Sequence, residues 1–395
     1  MTSQKRPMVV HVSGDFPDAV EEFKTPVVRS LVDLTASDFS HKVISINRSS
    51  PRAASLSAAI LRHPMRPRMA IVSKPFDRGT ALTYHAPGKG LFHATMLDQL
   101  GNWLAGHIAG DALPNLIVAH KLTIEGLAVH RAAEQLGLPY AISIQGDTDA
   151  KVLAARPDLV PRLRKVLHHA SAVFPFSPWA LTAIERKLGR YAGPVFMLPC
   201  PTDLDQPTTP KAGGTGLVTA FHLKNYRRKN LAGMAHALKS LDKGNSGIKL
   251  TVIGGGNDRD RKACEAIARE TGSITFAGAM NRTEVRTAFL GAQGFVMPSL
   301  RESFGLVFIE ALFAGLPIAY PAGTAVDGYL DGLPFAIRMD ARNPESIASA
   351  MLQLDRNETE LKAKLGEWLH SADSRRFTRP AIADQFRAGL LAAIG

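Results

Sequence analysis

The chain has 395 residues, enough for two domains that each bury a core of their own, and its 45% hydrophobic and 21% charged side chains are ordinary for a soluble globular protein. Two cysteines, Cys200 and Cys264, exclude a disulfide framework and a cysteine zinc site, so a reducing compartment is expected. The net charge of +12 calls for an anionic partner, but with aromatics at 7% and no recognition motif the sequence points away from nucleic acid.

The N-terminus, Met1 to Arg6, is polar and runs directly into an apolar strand, without the apolar stretch and small-residue cleavage site of a signal peptide. Apolar runs then alternate with helical patterns. Val9–Val12 reads as a strand with a turn at Gly14-Asp15, and Val27–Leu34 as a helix. Strands are expected at Lys42–Ile46, Ala70–Val72 and Leu116–Ala119, the last followed by a helix ending at Gly137. Further strands are expected at Tyr140–Ile144, Ala172–Phe174 and Val195–Leu198. Continuous apolar strands bounded by helices imply a parallel sheet covered on both faces. His120 and His130, ten positions apart, read as helix-face residues rather than metal ligands.

Residues 199–216 hold four prolines and three glycines in eighteen positions, so they continue neither a helix nor a central strand. The alternation restarts after them. Strands are expected at Leu217–Phe221, Lys249–Ile253, Ile274–Phe276 and Gly294–Met297, with helices over Asn230–Leu241 and from the triple glycine Gly254–Gly256 to Glu270. The triple glycine lacks dinucleotide-fingerprint spacing. The last helix, about Ile382 to Ala393, is amphipathic. The boundaries read as 1–205 for an N-terminal domain, 206–376 for a C-terminal domain and 377–395 for a terminal helix, whose return to the first domain the sequence leaves open.

Residues 298–317 carry the most chemistry. Glu302 and Glu310 stand with seven residues between them, after Pro298-Ser299 and before Gly315-Leu316-Pro317. Residues 304–322 hold one charge in nineteen, yet the central Glu310, Pro317 and Pro321 argue against a membrane span. A helix starting near Gly305 would place both carboxylates close to free N–H groups, a place to grip a sugar hydroxyl and a diphosphate together. As a purely structural residue, Glu310 would be an unpaired charge in an apolar helix, which is costly. Upstream, Lys224, Arg227, Arg228 and Lys229 follow a strand.

The basic excess is uneven: residues 1–200 hold 23 basic and 15 acidic side chains. Arg162, Arg164, Lys165, His168 and His169 crowd one segment among Leu159, Val160, Leu163, Val166 and Leu167. That basic amphipathic pattern is either a solvated helix face or a contact for an anionic membrane surface.

The order of these motifs resembles the nucleotide-binding half of the retaining GT-B glycosyltransferases of glycosyltransferase family 4 (glycosyl transferases group 1). The resemblance is close over about residues 195–350 and loose before them, where Gly137-Leu138-Pro139 precedes a strand. It implies an α/β fold of the GT-B type, with two Rossmann-like parallel-sheet domains facing across a cleft, the first for the acceptor and the second for the nucleotide sugar. It implies that Glu310 binds the ribose and Glu302 lies beside the donor sugar. Ser303, Phe304, Gly305 and Leu306 match the loop whose amides hold the sugar and diphosphate, and Lys229 the lysine that neutralises the leaving diphosphate. Ala277, Gly278, Ala279 and Met280 match the loop over the base. Where the family has an arginine about seven residues before that lysine, this chain has His222, and Arg228 or Arg227 is the alternative source of charge. Only Gly14 stands near the place of the family's diglycine loop, which here is about Glu22-Phe23. On the acceptor side, Gln145-Gly146-Asp147 replaces a histidine that ends a strand, so Gln145 and Asp147 become the acceptor-side candidates.

The implied activity is that of a hexosyltransferase-type enzyme, which moves a sugar from a UDP- or GDP-sugar to an acceptor hydroxyl with retention. The acceptor would be a glycan or a lipid-linked molecule of cell-surface polysaccharide or glycolipid synthesis. No metal or cofactor is required, because fixed cations and helix amides stabilise the leaving group. The three Asp-x-Asp strings, at Asp147, Asp203 and Asp258, read as solvated loop acids. The alternatives are a sugar-nucleotide epimerase of the same fold and a degenerate, non-catalytic binding subunit. The expected location is cytoplasmic, with the first domain touching the inner face of a membrane.

Overall fold

The computed structural model describes residues 6–49, 70–86 and 93–395, so the polar stretch Met1–Lys5 lies outside the described residues. The chain divides into two compact units. One comprises the residues up to Phe176, Ala180–Leu198 and Ile382–Gly395; the other comprises Ser177–Trp179 and Pro199–Ala381.

The first unit is built on β1 (Met8–Ser13), α1 (Val27–Leu34), β2 (Ser40–Ser49), β3 (Ile71–Phe76), β4 (Gly79–His85), α2 (His93–Ala109), β5 (Leu116–Ala119), α3 (Glu125–Leu136), β6 (Tyr140–Ile144), α4 (Asp147–Ala155), α5 (Val160–His168), β7 (Ala172–Pro175) and α6 (Pro178–Leu188). Its sheet has the order β3-β4-β2-β1-β5-β6-β7. The strands β5, β6 and β7 are buried along their whole length, which is why they read as continuous apolar runs.

Two features depart from the sequence-based expectation. The sheet is not wholly parallel, because β3 and β4 pair antiparallel. β3 is largely exposed and carries Pro75, which an edge strand tolerates because no ladder hydrogen bond is lost. β4 went unread because its apolar residues are short of a run: Ala81, Leu82 and Tyr84 alone are buried. The second departure is Val195–Leu198, which makes one bridge, Val195 to Val173, and no strand.

The second unit holds β8 (Leu217–Ala220), α7 (Leu231–Lys243), β9 (Leu250–Ile253), α8 (Asp258–Ala268), β10 (Ile274–Gly278), α9 (Arg282–Leu290), β11 (Gly294–Val296), α10 (Leu306–Phe313), β12 (Ile318–Pro321), β13 (Ala336–Met339), α11 (Pro344–Arg356), α12 (Glu358–Leu369) and α13 (Ala372–Arg375). Its six strands, in the order β10-β9-β8-β11-β12-β13, all pair in parallel. The proline-rich stretch before β8 is irregular, as its composition requires, but it is fastened down. Gly214 N–H donates to Glu358 at 2.8 Å, and the buried Lys362 Nζ donates to Lys211 O and Ala292 O, each at 2.7 Å. Glu358 and Lys362 pair at 2.7 Å, so the lysine is buried with every partner it needs.

The last helix, α14 (Arg379–Ile394), starts in the second unit and ends in the first. Its Ile382, Phe386 and Leu390 are fully buried at helical spacing. Gly389 is the point of close approach to the first sheet: a Cβ there would lie 2.2 Å from Phe174 Cε1. Phe386 packs edge-on against Phe174 and tilted against His11.

Candidate donor-sugar site in the second unit

After β8 the chain makes a short 3₁₀ turn, Leu223–Asn225, capped by His222, whose ring Nδ1 accepts from Lys224 N–H. The turn leads to Arg228 and Lys229, and Asn230 then reverses the backbone in a left-handed conformation and caps α7. Arg228 O accepts from Leu300 N–H at 2.9 Å, which ties this loop to the one after β11. The tie sets Lys229 beside Glu302, and the two side chains form an ion pair. Glu302 is held in turn by Thr324. The Glu302 N–H donates to Thr324 Oγ1 at 2.8 Å, and the Thr324 hydroxyl donates back to Glu302 O at 2.7 Å.

The electrostatics here are strained. Lys229 is 8% exposed, and its pKa is lowered, chiefly by burial and further by Arg228, while Glu302 acts in the opposite sense. The Arg228 Nε–H is buried with no acceptor among the described residues, as is the hydroxyl of Ser299. Two cations are thus held side by side with one carboxylate between them. An anion carrying several acceptor oxygens would satisfy the orphaned donor and restore the favoured charge on the lysine.

Gly305 forms the N-cap of α10 at φ 76°, in the left-handed region, and no side chain caps the helix. The chain needs glycine here for a second reason: a Cβ would sit 2.8 Å from Phe308 Cδ2. The N-terminus of α10, opening at Leu306, is therefore left to a ligand, solvent or its own first turn. Phe304 is buried and packs edge-on with Tyr329, so it positions the loop. Ser303 is half-buried between Glu302 and Phe304.

Glu310 lies past the middle of the helix. Burial raises its pKa, and a hydrogen bond opposes that rise: the Thr202 hydroxyl donates to Glu310 Oε1 at 2.8 Å. Thr202, Arg282 and Arg286 are site residues that the sequence reading missed. Asp203, Gln206, Arg286 and Glu310 line a cavity of about 50 Å³, and Asp203 pairs with both Arg282 and Arg379. These residues belong to the irregular stretch and to α9, which carry no motif. The one available signal was the Asp203-Leu204-Asp205 string: Asp203 is exposed, as a solvated acid is, though ion-paired, whereas Asp205 is buried and accepts from Arg379 N–H at 2.8 Å.

Gly278, at φ 80°, ends β10, and its carbonyl accepts from Gly254 N–H at 2.8 Å. Met280 follows in the loop before α9, half-buried. The triple glycine after β9 thus serves loop packing: a Cβ at Gly254 would lie 1.9 Å from Phe221 O.

Three expected residues lie in the first unit. Gly14 N–H donates to Glu125 Oε1 at 2.7 Å, and Gln145 Nε2 donates to His120 O at 2.6 Å. Asp147 opens α4 together with Asp149, and Asp149 is fully buried and accepts from Thr123 N–H and Oγ1–H at 2.9 and 2.8 Å. His120 is buried at the end of β5, not on a helix face. The basic segment forms α5, whose Leu163, Val166 and Leu167 face the core, while Arg162 pairs with Asp98 and Arg164 Nε donates to Leu188 O. Among the described residues no helix is long and apolar enough to cross a membrane.

Three comparisons bear on this geometry. Residues 216–368 match the family model described as glycosyl transferases group 1. A 98-residue segment is 34% identical to the D-inositol 3-phosphate glycosyltransferase of Mycolicibacterium paratuberculosis, and covers 23% of this chain and 21% of that one. Over nearly the whole length, the fold matches sucrose-phosphate synthase from Thermosynechococcus elongatus, with a TM-score of 0.68 at 19% identity, covering 98% of this chain and 100% of that one. It also matches a UDP-forming α,α-trehalose-phosphate synthase from Burkholderia xenovorans, with a TM-score of 0.66 at 14% identity, again covering 98% and 100%. The α/β class read from the sequence, two Rossmann-like domains of the GT-B type, is the fold of this chain, and its residues 216–368 are similar to the glycosyl transferases group 1 family.

Proposed function

We propose that this chain transfers a sugar from a nucleotide sugar of the UDP- or GDP-sugar class to an acceptor hydroxyl, with retention of anomeric configuration. The observation that carries the reading is the Lys229–Glu302 pair beside the orphaned Arg228 Nε–H, on the loop that leads into an uncapped helix N-terminus. In the reaction the bond between the sugar C1 and the β-phosphate oxygen breaks, and its electron pair leaves on the diphosphate. The acceptor oxygen forms the new bond to C1 on the same face and passes its proton to the departing β-phosphate oxygen. Lys229 and Arg228 offset the charge that grows on the leaving group, and the amides around Gly305 and Leu306 do the same without a metal ion. Glu310, kept ionised by Thr202, accepts from the ribose hydroxyls; Glu302 lies beside the sugar; Gly278 and Met280 border the base. The trehalose-phosphate synthase from Burkholderia xenovorans is UDP-forming, which supports the nucleoside-diphosphate part of this reading.

The acceptor is assigned to the first unit, near Gln145 and Asp147, and its class is a glycan or a lipid-linked molecule of cell-surface polysaccharide or glycolipid synthesis. The basic excess of the first unit supports a cytoplasmic protein that approaches an anionic membrane surface by charge alone, since the leucines and valines of α5 are spent in the core. The decisive experiment is calorimetry with a panel of nucleoside diphosphates. Glu310→Ala is expected to abolish binding, and an unchanged affinity would remove Glu310 from the site.

A second reading, a binding subunit without transfer activity, is favoured by one observation. The Gly14 N–H and the Gln145 amide are both already bound within the first unit, to Glu125 and to the His120 carbonyl. Donor hydrolysis or transfer above background with a panel of acceptors excludes it.

A further inference from the structure

One histidine outside the donor site is set up in an unusual way. His130 sits on α3, half-buried, with Glu134 one helical turn on and His169 just beyond the end of α5. Its ring touches the hydroxyl of Tyr140, with Nδ1 and Oη 3.1 Å apart, and that hydroxyl also stands 2.7 Å from Val166 O. A carbonyl oxygen can only accept, so the single phenolic proton goes to Val166. Tyr140 must then accept from His130, which places the proton of the neutral ring on Nδ1 and leaves Nε2 with a bare lone pair.

The bare Nε2 faces Glu134 Oε1 at 3.5 Å. Two acceptors pointing at each other repel unless a cation lies between them. A proton is one answer. The other answer is a metal ion. Two ligands, each about 2.1 Å from a tetrahedral zinc, stand about 3.4 Å apart, close to the observed gap. The candidate ligand atoms of His130, Glu134 and His169 all lie within 4.8 Å of one another, and Glu134 and His169 are exposed and free to adjust their rotamers. The sequence reading set aside His130 for want of a third ligand near His120. Glu134 stands at i+4 on the same helix, and the fold supplies His169 from a position that the sequence does not bring near them.

We propose that His130 Nε2, Glu134 and His169 bind a divalent ion of the zinc class, with Tyr140 orienting His130 through its Nδ1–H, and that the ion clasps α3 to the end of α5. A hydrogen-bonded imidazole backed by a fixed acceptor is the usual support for a ligating histidine, and two imidazoles with one carboxylate suit zinc or cobalt(II) better than magnesium or calcium. Three protein ligands leave the fourth position to water. His130 and Glu134 also line an open groove of about 1030 Å³ between α2, α3 and α5, through which the ion can enter.

The test uses the full chain, stripped of metal, titrated with Zn²⁺ against a chromophoric chelator and with Co²⁺ followed by its visible absorption. One equivalent of Zn²⁺ is expected to bind, with a Co²⁺ spectrum of low coordination number. Glu134→Gln and His169→Ala replace exposed side chains and leave the fold intact, as thermal unfolding without metal will verify. Each should weaken Zn²⁺ binding tenfold or more and abolish the Co²⁺ spectrum. Tyr140→Phe, which removes the orienting acceptor together with the hydrogen bond to Val166 O, should weaken it roughly tenfold. The proposal is overturned if the chain binds no equivalent above the background of its other histidines, or if Glu134→Gln and His169→Ala bind as tightly as the parent.

Discussion

Both units place polar side chains at and beyond the strands of a parallel sheet, but they spend them differently. In the first, the groups mostly bond one another, and what is left over is acceptor oxygen: Asn47 Oδ1, Glu125 Oε2 and Asp149 Oδ2 are buried without a donor among the described residues. A chain of contacts runs from Thr35 through His41, His11 and His120 to Ser143, with separations of 3.1, 2.9, 3.0 and 3.3 Å. Asp18 takes Ser45, Asn47 and Lys24, and Asp15 takes Lys121 at 2.7 Å. In the second unit Lys229 and Arg228 oppose each other, and a buried N–H goes without an acceptor. A closed network specifies a fold; an open one, with like charges held together, specifies a ligand. The difference between the two lies in the kind of atom left unpaired: carboxylate and amide oxygens in the first unit, a cationic N–H beside a second cation in the second.

The sharpest way to break this contrast is at the second unit's lysine. Lys229→Ala is expected to lower the transfer rate by about 10²–10³, the cost of removing one fixed donor from a leaving group that gains charge. Thermal unfolding should change little by comparison, because Glu302 remains partly exposed and can be solvated once its partner is gone. Steady-state kinetics with the best donor and acceptor pair measures it. A rate within tenfold of the parent would mean that the open cations do not face the diphosphate.

The first unit's closed network makes the opposite prediction, about stability rather than turnover. Burial and mutual repulsion hold His11 well below its ordinary pKa, His41 at about 4 and His120 at about 3. Unfolded, each titrates near 6.5. Between those values the unfolded chain binds protons that the folded chain refuses, so stability falls as pH drops through 6.5. Glu125 works against this. Burial raises its pKa to about 7, so between about 4.5 and 7 the folded chain holds a proton that the unfolded one releases. Three histidines against Glu125 leave stability falling as pH drops between roughly 6.5 and 4.5. Denaturant unfolding at pH 5, 6 and 7 checks it, and a flat profile would mean that the histidine chain is already open or charged in the native state.

The second unit was legible because its site is local in sequence. Glu302, Gly305 and Glu310 fall within nine positions, and α10 begins where Gly305 requires. Lys229 could be singled out from Lys224, Arg227 and Arg228 only through the family resemblance, and only the fold brings it to Glu302. The first unit was legible as alternating strands and helices, not as chemistry. Its histidines come from β1, β2 and the end of β5, and nothing in their spacing announces that they touch. The edge pair β3–β4 was missed because half-exposed strands lack the continuous apolar run that marks buried ones. Thr202 was missed for a third reason: a proline-rich stretch reads as linker, and its being fastened to Glu310 and Glu358 depends on residues more than a hundred positions away.

The smallest effect is the most discriminating for how the open site is tuned. Thr202 donates to Glu310, whose pKa burial raises, and that hydrogen bond is the principal force keeping the carboxylate ionised. Thr202→Val preserves the side-chain shape and removes the donor. One hydrogen bond to a charged group contributes about 1.5 kcal/mol, so nucleoside-diphosphate affinity should fall by roughly tenfold at the low end of the pH range in which the parent binds. As the pH rises, Glu310 ionises without help and the deficit should shrink toward nothing, which displaces the binding-versus-pH curve upward in pH without changing its plateau. Calorimetry across pH 5 to 8 separates this from a merely structural loss. A deficit that stays constant with pH would mean that Thr202 only holds the loop in place, whereas one that closes at high pH makes it the residue that sets the charge on the ribose-binding carboxylate.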